Sequence, residues 1–219
     1  MKLPILFLVF LIPLYPLIDE EIDMQKLRHF WDTSSFTWGR SHYYALEIND
    51  EVFQGLRPWE LRWNLYNQDK IFAEKKVIDL GANIGIPSIY IKKYGQASQV
   101  FAVEKDPEAL SQLKQLQEIF NVTIPCYNLN FDHDDYEKIL GCNYDIALCA
   151  STFHWIAGSK KERFLHYLSH FNQVLYEGHE PLSAEMHRFR NIGFKHCKIL
   201  GQSDFNRWII LFSQTVLEE

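Results

Sequence analysis

A chain of 219 residues, 47% of them hydrophobic, has enough apolar material to bury a full core, and one main domain is the expectation. With 22 basic against 28 acidic side chains the formal charge is −6, and no basic run stands out, so electrostatic capture of nucleic-acid phosphates is not expected. Cys126, Cys142, Cys149 and Cys197 are scattered, with neither a C-x-x-C pair nor zinc-type spacing to histidine, which reads as reduced thiols rather than a metal site.

Residues Leu3 to Ile18 are apolar throughout, preceded only by Lys2 and the amino terminus. A helix here would be roughly 24 Å long against a hydrocarbon core of about 30 Å, and Pro13 and Pro16 would break its second half. No small-x-small cleavage site follows; the next acids are Asp19, Glu20, Glu21 and Asp23. Residues 1–22 thus read as a membrane anchor, an export signal or an apolar packed arm, with membrane contact through Leu3 to Ile18 open.

Residues 23–74 form an aromatic and arginine-rich segment: Trp31, Trp38, Tyr43, Tyr44, Trp59, Trp63 and Tyr66, with Arg40, Arg57 and Arg62 among them. A hairpin, Tyr43–Ile48 and Val52–Phe53 around Asn49-Asp50, followed by a helix from Pro58 to about Tyr66, is the expected layout. Large aromatics either fill core or wall a pocket.

At Lys76 to Ser88 the sequence reads KVIDLGANIGIPS. An apolar run with one acid, Asp79, enters Gly81-Ala-Asn-Ile-Gly85 and then a helix start at Pro87, where a missing N–H costs nothing. This is a buried strand, a glycine turn and a helix. The glycines admit close backbone approach, Asn83 tolerates positive φ, and the helix start presents free N–H groups and a positive dipole end.

VIDLGANIG resembles the cofactor loop of the class I S-adenosylmethionine-dependent methyltransferases, an acid two residues before a G-x-G-x-G turn. Asp79, Gly81 and Gly85 match, and Asn83 replaces the middle glycine. The dinucleotide fingerprint G-x-G-x-x-G would need glycines at 83 and 86, where Asn83 and Ile86 stand.

Downstream, a helix Pro87–Tyr94 is followed by a second strand, Gln99–Glu104. By the resemblance, Glu104 takes the cofactor's ribose hydroxyls. Pro107 to Phe120 shows helical spacing, and Val122 to Leu129 reads as a third strand ending at Asn130-Phe131-Asp132. The resemblance implies an adenine contact from Phe131 or Asp132, although the acids at 132 to 137 also read as a solvated loop. A fourth strand, Tyr144–Ala150, opens on Ser151 and His154. A helix from Lys160 to about Phe171 precedes a fifth strand, Gln173–Tyr176, with Glu177 and His179 at its end. A helix Pro181–Arg190 and strands Phe194–Leu200 and Arg207–Ser213 complete the chain.

Alternating strands and helices predict a three-layer, Rossmann-like α/β methyltransferase fold over residues 75–219, with a mostly parallel seven-stranded sheet and an antiparallel last strand. The resemblance implies S-adenosylmethionine as cofactor, held by Asp79, Gly81, Asn83, Gly85, Glu104, Phe131, Asp132 and Ser151. It also likens residues 23–74 to a cap over the substrate mouth, whose arginines would grip the cofactor's methionine carboxylate or an acidic substrate. Ligands of open α/β sheets sit beyond the strand carboxyl ends, so His154, Glu177 and His179 are the candidate bases for methylating an O or N atom. The acceptor is expected to be a small molecule, a sugar or a lipid-linked group. A non-catalytic cofactor-fold scaffold and a nicotinamide-dependent oxidoreductase are the competing readings. The charge bias around residues 3–18 favours export of the domain, whereas the implied cofactor favours the cytoplasm or a membrane-associated site facing it.

Overall fold

The computed structural model describes residues 22–34 and 42–217. Leu3 to Ile18, Trp38 and Arg40 lie outside the described residues. No described helix is long and apolar enough to cross a membrane.

Helix α1 (Met24–Thr33), which the aromatic composition masks in the sequence, starts where the Asp23 side chain accepts the N–H of Lys26 at 3.0 Å. It buries Leu27, Phe30 and Trp31. Strands β1 (Tyr44–Ile48) and β2 (Glu51–Phe53) make the expected antiparallel hairpin; β3 (Arg57–Pro58) adds a short parallel partner to β1, so helix α2 begins one residue later than expected, at Trp59–Tyr66. Trp59 and Trp63 join Tyr66 and Tyr90 in one ring cluster, and Trp31 stacks on His42 at 4.0 Å. These tryptophans are packing.

The main sheet has seven strands: β4 (Lys76–Leu80), β5 (Gln99–Glu104), β6 (Cys126–Asn128), β7 (Ile146–Ala150), β8 (Gln173–Glu177), β9 (His196–Gln202) and β10 (Trp208–Ser213), in spatial order β6-β5-β4-β7-β8-β10-β9. β10 runs antiparallel between β8 and β9, and the pairings from β6 to β8 are parallel. Val77, Ile78, Asp79 and Leu80 are all buried, as a parallel strand covered on both faces requires. Helices α3 (Ile86–Lys93), α4 (Pro107–Ile119), α5 (Tyr136–Leu140), α6 (Lys161–Leu168) and α7 (Leu182–Asn191) make the crossovers.

Of the main-sheet half, β6 and the 132–137 segment differ most from expectation. β6 begins four residues late because Gln117 holds the preceding backbone on α4: its carbonyl takes the N–H of Val122 at 3.0 Å and its side chain that of Ile124 at 2.7 Å. The segment read as an acidic loop contains α5, which buries Tyr136 and Leu140. Because β4 pairs with both β5 and β7, the order reverses at β4, and a crevice opens beyond its carboxyl end.

Candidate functional site

A cavity of about 570 Å³ lies at that crevice. Its floor is the glycine turn. Gly81 has φ 87°, and a Cβ there would stand 2.3 Å from Thr152 Oγ1, whose hydroxyl donates to the Leu80 carbonyl; only glycine lets the turn pass. Asn83 takes φ 54° and steadies it by accepting the Ile84 N–H on its own Oδ1 at 2.8 Å. Gly85 (φ 77°) does not line the cavity: a Cβ there would meet Leu113 Cδ1 at 2.1 Å, so this glycine lets α4 pack instead of touching a ligand.

Asp79 lines the cavity although it is 1% exposed, with its Oδ2 accepting the Ser88 hydroxyl at 2.6 Å. Burial pushes its carboxyl up to about 7; the Ser88 hydrogen bond opposes that and the charge of Glu104 adds to it. No cationic side chain pairs with it among the described residues. Glu104 closes the turn from β5: Oε2 accepts the Asn83 N–H at 2.8 Å, and Oε1 those of Lys105 and Asp106 at 2.8 and 3.0 Å. Phe131 and Asp132 line the far wall, where Asp132 Oδ1 accepts the Ala157 N–H at 2.8 Å and Phe131 packs on Tyr136 and Phe164. Ser151, in a left-handed conformation (φ 62°), also lines the cavity and accepts Arg207 Nη1 at 2.9 Å on its Oγ. Of the eight residues expected to hold the cofactor, seven therefore share one wall system, and Gly85 stands behind it.

The candidate bases separate. His179 lines the cavity with its Nε2 buried and without a hydrogen-bond partner. Desolvation first, then the charges of Arg207, His154 and Arg57, push it down to about 4 against the pull of Glu177, so the ring is neutral at pH 7. His154 is exposed, stands outside the cavity, and stacks on the outer face of His179 with centroids 4.3 Å apart. Glu177 is corrected outright. β8 runs one residue further than expected and carries Glu177 inward, where it is 2% exposed and accepts Arg62 Nη2 at 3.1 Å, the Tyr66 hydroxyl at 2.8 Å and the Ser203 hydroxyl at 2.9 Å. Burial would raise its carboxyl, but the Arg62 charge and these hydrogen bonds outweigh that and hold it below the usual range. A carboxylate so engaged joins α2 to the sheet and does not line the cavity.

Sequence reasoning missed Arg207 and Phe205 at the cavity mouth, and Thr152 under the glycine turn. It named Arg57 only within its segment. The structure sorts those arginines: Arg62 pairs with Glu177 and Asp204, whereas Arg57 reaches the cavity.

No protein-family profile and no curated protein sequence matches the chain. Solved structures do match its fold. The bifunctional kinase-methyltransferase WbdD superposes with a TM-score of 0.64 at 18% identity over 88% of this chain and 47% of that one. A methyltransferase from Pyrococcus furiosus gives 0.60 at 14% identity over 88% and 98%. The N-terminal domain of EvdMO1 with SAH (S-adenosylhomocysteine) bound gives 0.60 at 11% identity over 87% and 96%. The chain has the class I methyltransferase fold. It spans about half the length of WbdD and of EvdMO1, 47% in each case.

Proposed function

We propose that the chain binds S-adenosylmethionine in this cavity and transfers a methyl group to an O or N atom of a small acceptor, with sugars among the candidates. One observation carries the reading: a buried carboxylate without a cationic partner, Asp79, faces the same cavity as a positive-φ glycine turn and a strand-end acid, Glu104. That combination fits a ligand bearing an ammonium group, a sulfonium and a ribose. EvdMO1, which shares the fold, was solved with SAH and in the presence of SAH and D-fucose, which favours the nucleoside and makes a sugar acceptor reasonable.

The cofactor supplies a methyl group on a positively charged sulfur. Asp79 offers its carboxylate to the amino-acid end, Glu104 offers its remaining lone pairs to the ribose, and Phe131 and Asp132 bound the adenine side. His179 borders the acceptor space as a neutral imidazole and is the candidate base. The cavity walls orient the acceptor and exclude water from the transfer.

Calorimetric titration with SAH of the wild type, Asp79→Ala and Glu104→Ala tests the assignment. Binding by the wild type and a loss of at least about tenfold in each variant is expected, the effect of one charge-assisted contact. Unchanged affinity in both variants would remove these residues from the cofactor site.

A further inference from the structure

Asp79 and Glu104 border the glycine turn with Lys105 and Asp106 beside them, Asp132 lines the far wall, and Arg57 and Arg207 line the cavity close enough to His179 for their charges to act on it. Among the described residues, three guanidinium groups, Arg57, Arg62 and Arg207, pair with two carboxylates, Glu177 and Asp204. Arg62 holds both of these acids within an ion pair and is fully buried, which leaves Arg57 and Arg207 with one positive charge in excess.

Arg57 is the telling group. Its residue is 8% exposed, yet its guanidinium makes only a charge contact to Asp204 at 3.5 Å, and its buried Nη1 has no hydrogen-bond partner. Its guanidinium carbon lies over the rings of Tyr43 and Phe205, at 4.9 and 4.4 Å from their centroids. These cation–π contacts hold the guanidinium without using its hydrogen-bonding capacity. Arg207 Nη1 reaches Tyr43 Oη at 3.3 Å and Ser151 Oγ at 2.9 Å, so the same tyrosine bridges the two guanidinium groups. Phe205 stands at φ 63° while 73% exposed, a conformation that is costly for a bulky side chain and persists when the surroundings impose it. Leu56 and Trp155, also exposed, continue the apolar rim.

We infer that Arg57 and Arg207, with Tyr43 and Phe205, form an oxyanion subsite that takes a carboxylate or phosphate group of the methyl acceptor, next to an apolar portion of that molecule on the Phe205 and Leu56 rim. The inference rests on the proposed methyl transfer for the word acceptor, although the anion site itself does not. Buried guanidinium donors prefer such planar or tetrahedral oxyanions to neutral oxygens. The competing owner of the oxyanion is the cofactor's own carboxylate. The mouth position favours the acceptor: Arg57 packs on the exposed Phe205, whereas the amino-acid end of the cofactor belongs at the deeply buried Asp79. An anion there also neutralises charge that holds His179 down, so binding would raise the basicity of that ring.

Ligand-observed NMR titration of the full chain, with and without saturating SAH, tests this using benzoate, phenyl phosphate and neutral benzamide. Benzoate or phenyl phosphate is expected to bind at least about tenfold tighter than benzamide, in keeping with charge-assisted hydrogen bonds. Whichever anion wins identifies the carboxylate or phosphate source. Arg57→Gln should reduce the preference to about threefold or less while SAH affinity stays within about twofold of wild type; Arg57→Lys, which keeps charge but loses the fork, should fall between. Equal binding of benzamide, no binding of any probe, or a preference that survives Arg57→Gln would overturn the inference. Loss of SAH affinity in Arg57→Gln would also overturn it, assigning the arginine to the cofactor's carboxylate. The wild-type selectivity decides the matter even if a variant fails to fold. Absence of SAH binding by wild type would remove the methyl-transfer reading, while the titration without SAH still decides whether the anion site exists.

Discussion

Replacing Asp79 by Asn should stabilise the free protein and cripple the site at once. The carboxyl moves from its usual 3.8 to about 7, roughly three units, so its ionised form costs the free fold about 4 kcal/mol at about 1.4 kcal/mol per unit. A raised folded-state pKa means that no cost exists below about pH 4, that it grows between about pH 4 and 7, and that it is complete above about pH 7. Asn keeps an oxygen to accept the Ser88 hydroxyl but carries no charge to desolvate. For a chain of this size about 2–4 °C accompany each kcal/mol, so Asp79→Asn should melt on the order of 10 °C higher than wild type at pH 8, with the gap closing toward pH 4. SAH affinity should meanwhile drop by about tenfold or more. Thermal unfolding across pH and calorimetry on the same samples read both effects. A variant that melts below wild type at pH 8 would refute the reasoning, because it would mean the buried carboxylate is stabilising as an ion.

Other expectations follow from neighbouring contacts. Glu177→Gln leaves Arg62 with Asp204 alone and should cost about 3 kcal/mol, the lower end for breaking a buried pair, seen as a melting drop of roughly 6–12 °C. Because the Glu177 carboxyl is held low, that deficit should be present at pH 7 and shrink as pH falls through its depressed value; an unchanged melting point with lost turnover would instead make it catalytic. Gly85→Ala drives a methyl group into Leu113 and should lower stability by about 1–3 kcal/mol, measured by chemical denaturation, with normal stability contradicting the packing role. Once an acceptor is in hand, His179→Ala should reduce kcat while His154→Ala leaves it within about twofold, and the opposite ranking would return the base role to His154.

Strands β4 and β5 were legible nearly to the residue because a parallel strand buried on both faces writes an unbroken apolar run, here closed by a glycine turn and an acid. The same features located Asp79, Gly81, Asn83 and Glu104. Glu177 was misread for a reason that generalises: an acid at a strand end looks alike whether it faces a cavity or the core, and its partner Arg62 lies 115 residues earlier in the chain. His154 and His179 have the same ambiguity, resolved only when a short 3-10 turn at Phe153–Trp155 turns the first ring outward. Arg207 was illegible because its role depends on β10 inserting between β8 and β9, a pairing that local sequence does not record. Helix α1 was hidden by aromatic residues, although Asp23 three residues before Lys26 was an available capping signal.

The cavity beyond β4 is proposed as a site for S-adenosylmethionine. Thermal unfolding of the full chain with SAH, S-adenosylmethionine or NAD added separately tests it most directly, since a ligand at 100 times its Kd stabilises by about 2.7 kcal/mol. A clear upward shift is expected with both sulfur nucleosides and none with NAD. A shift with NAD alone, or no shift with any of the three, would contradict it.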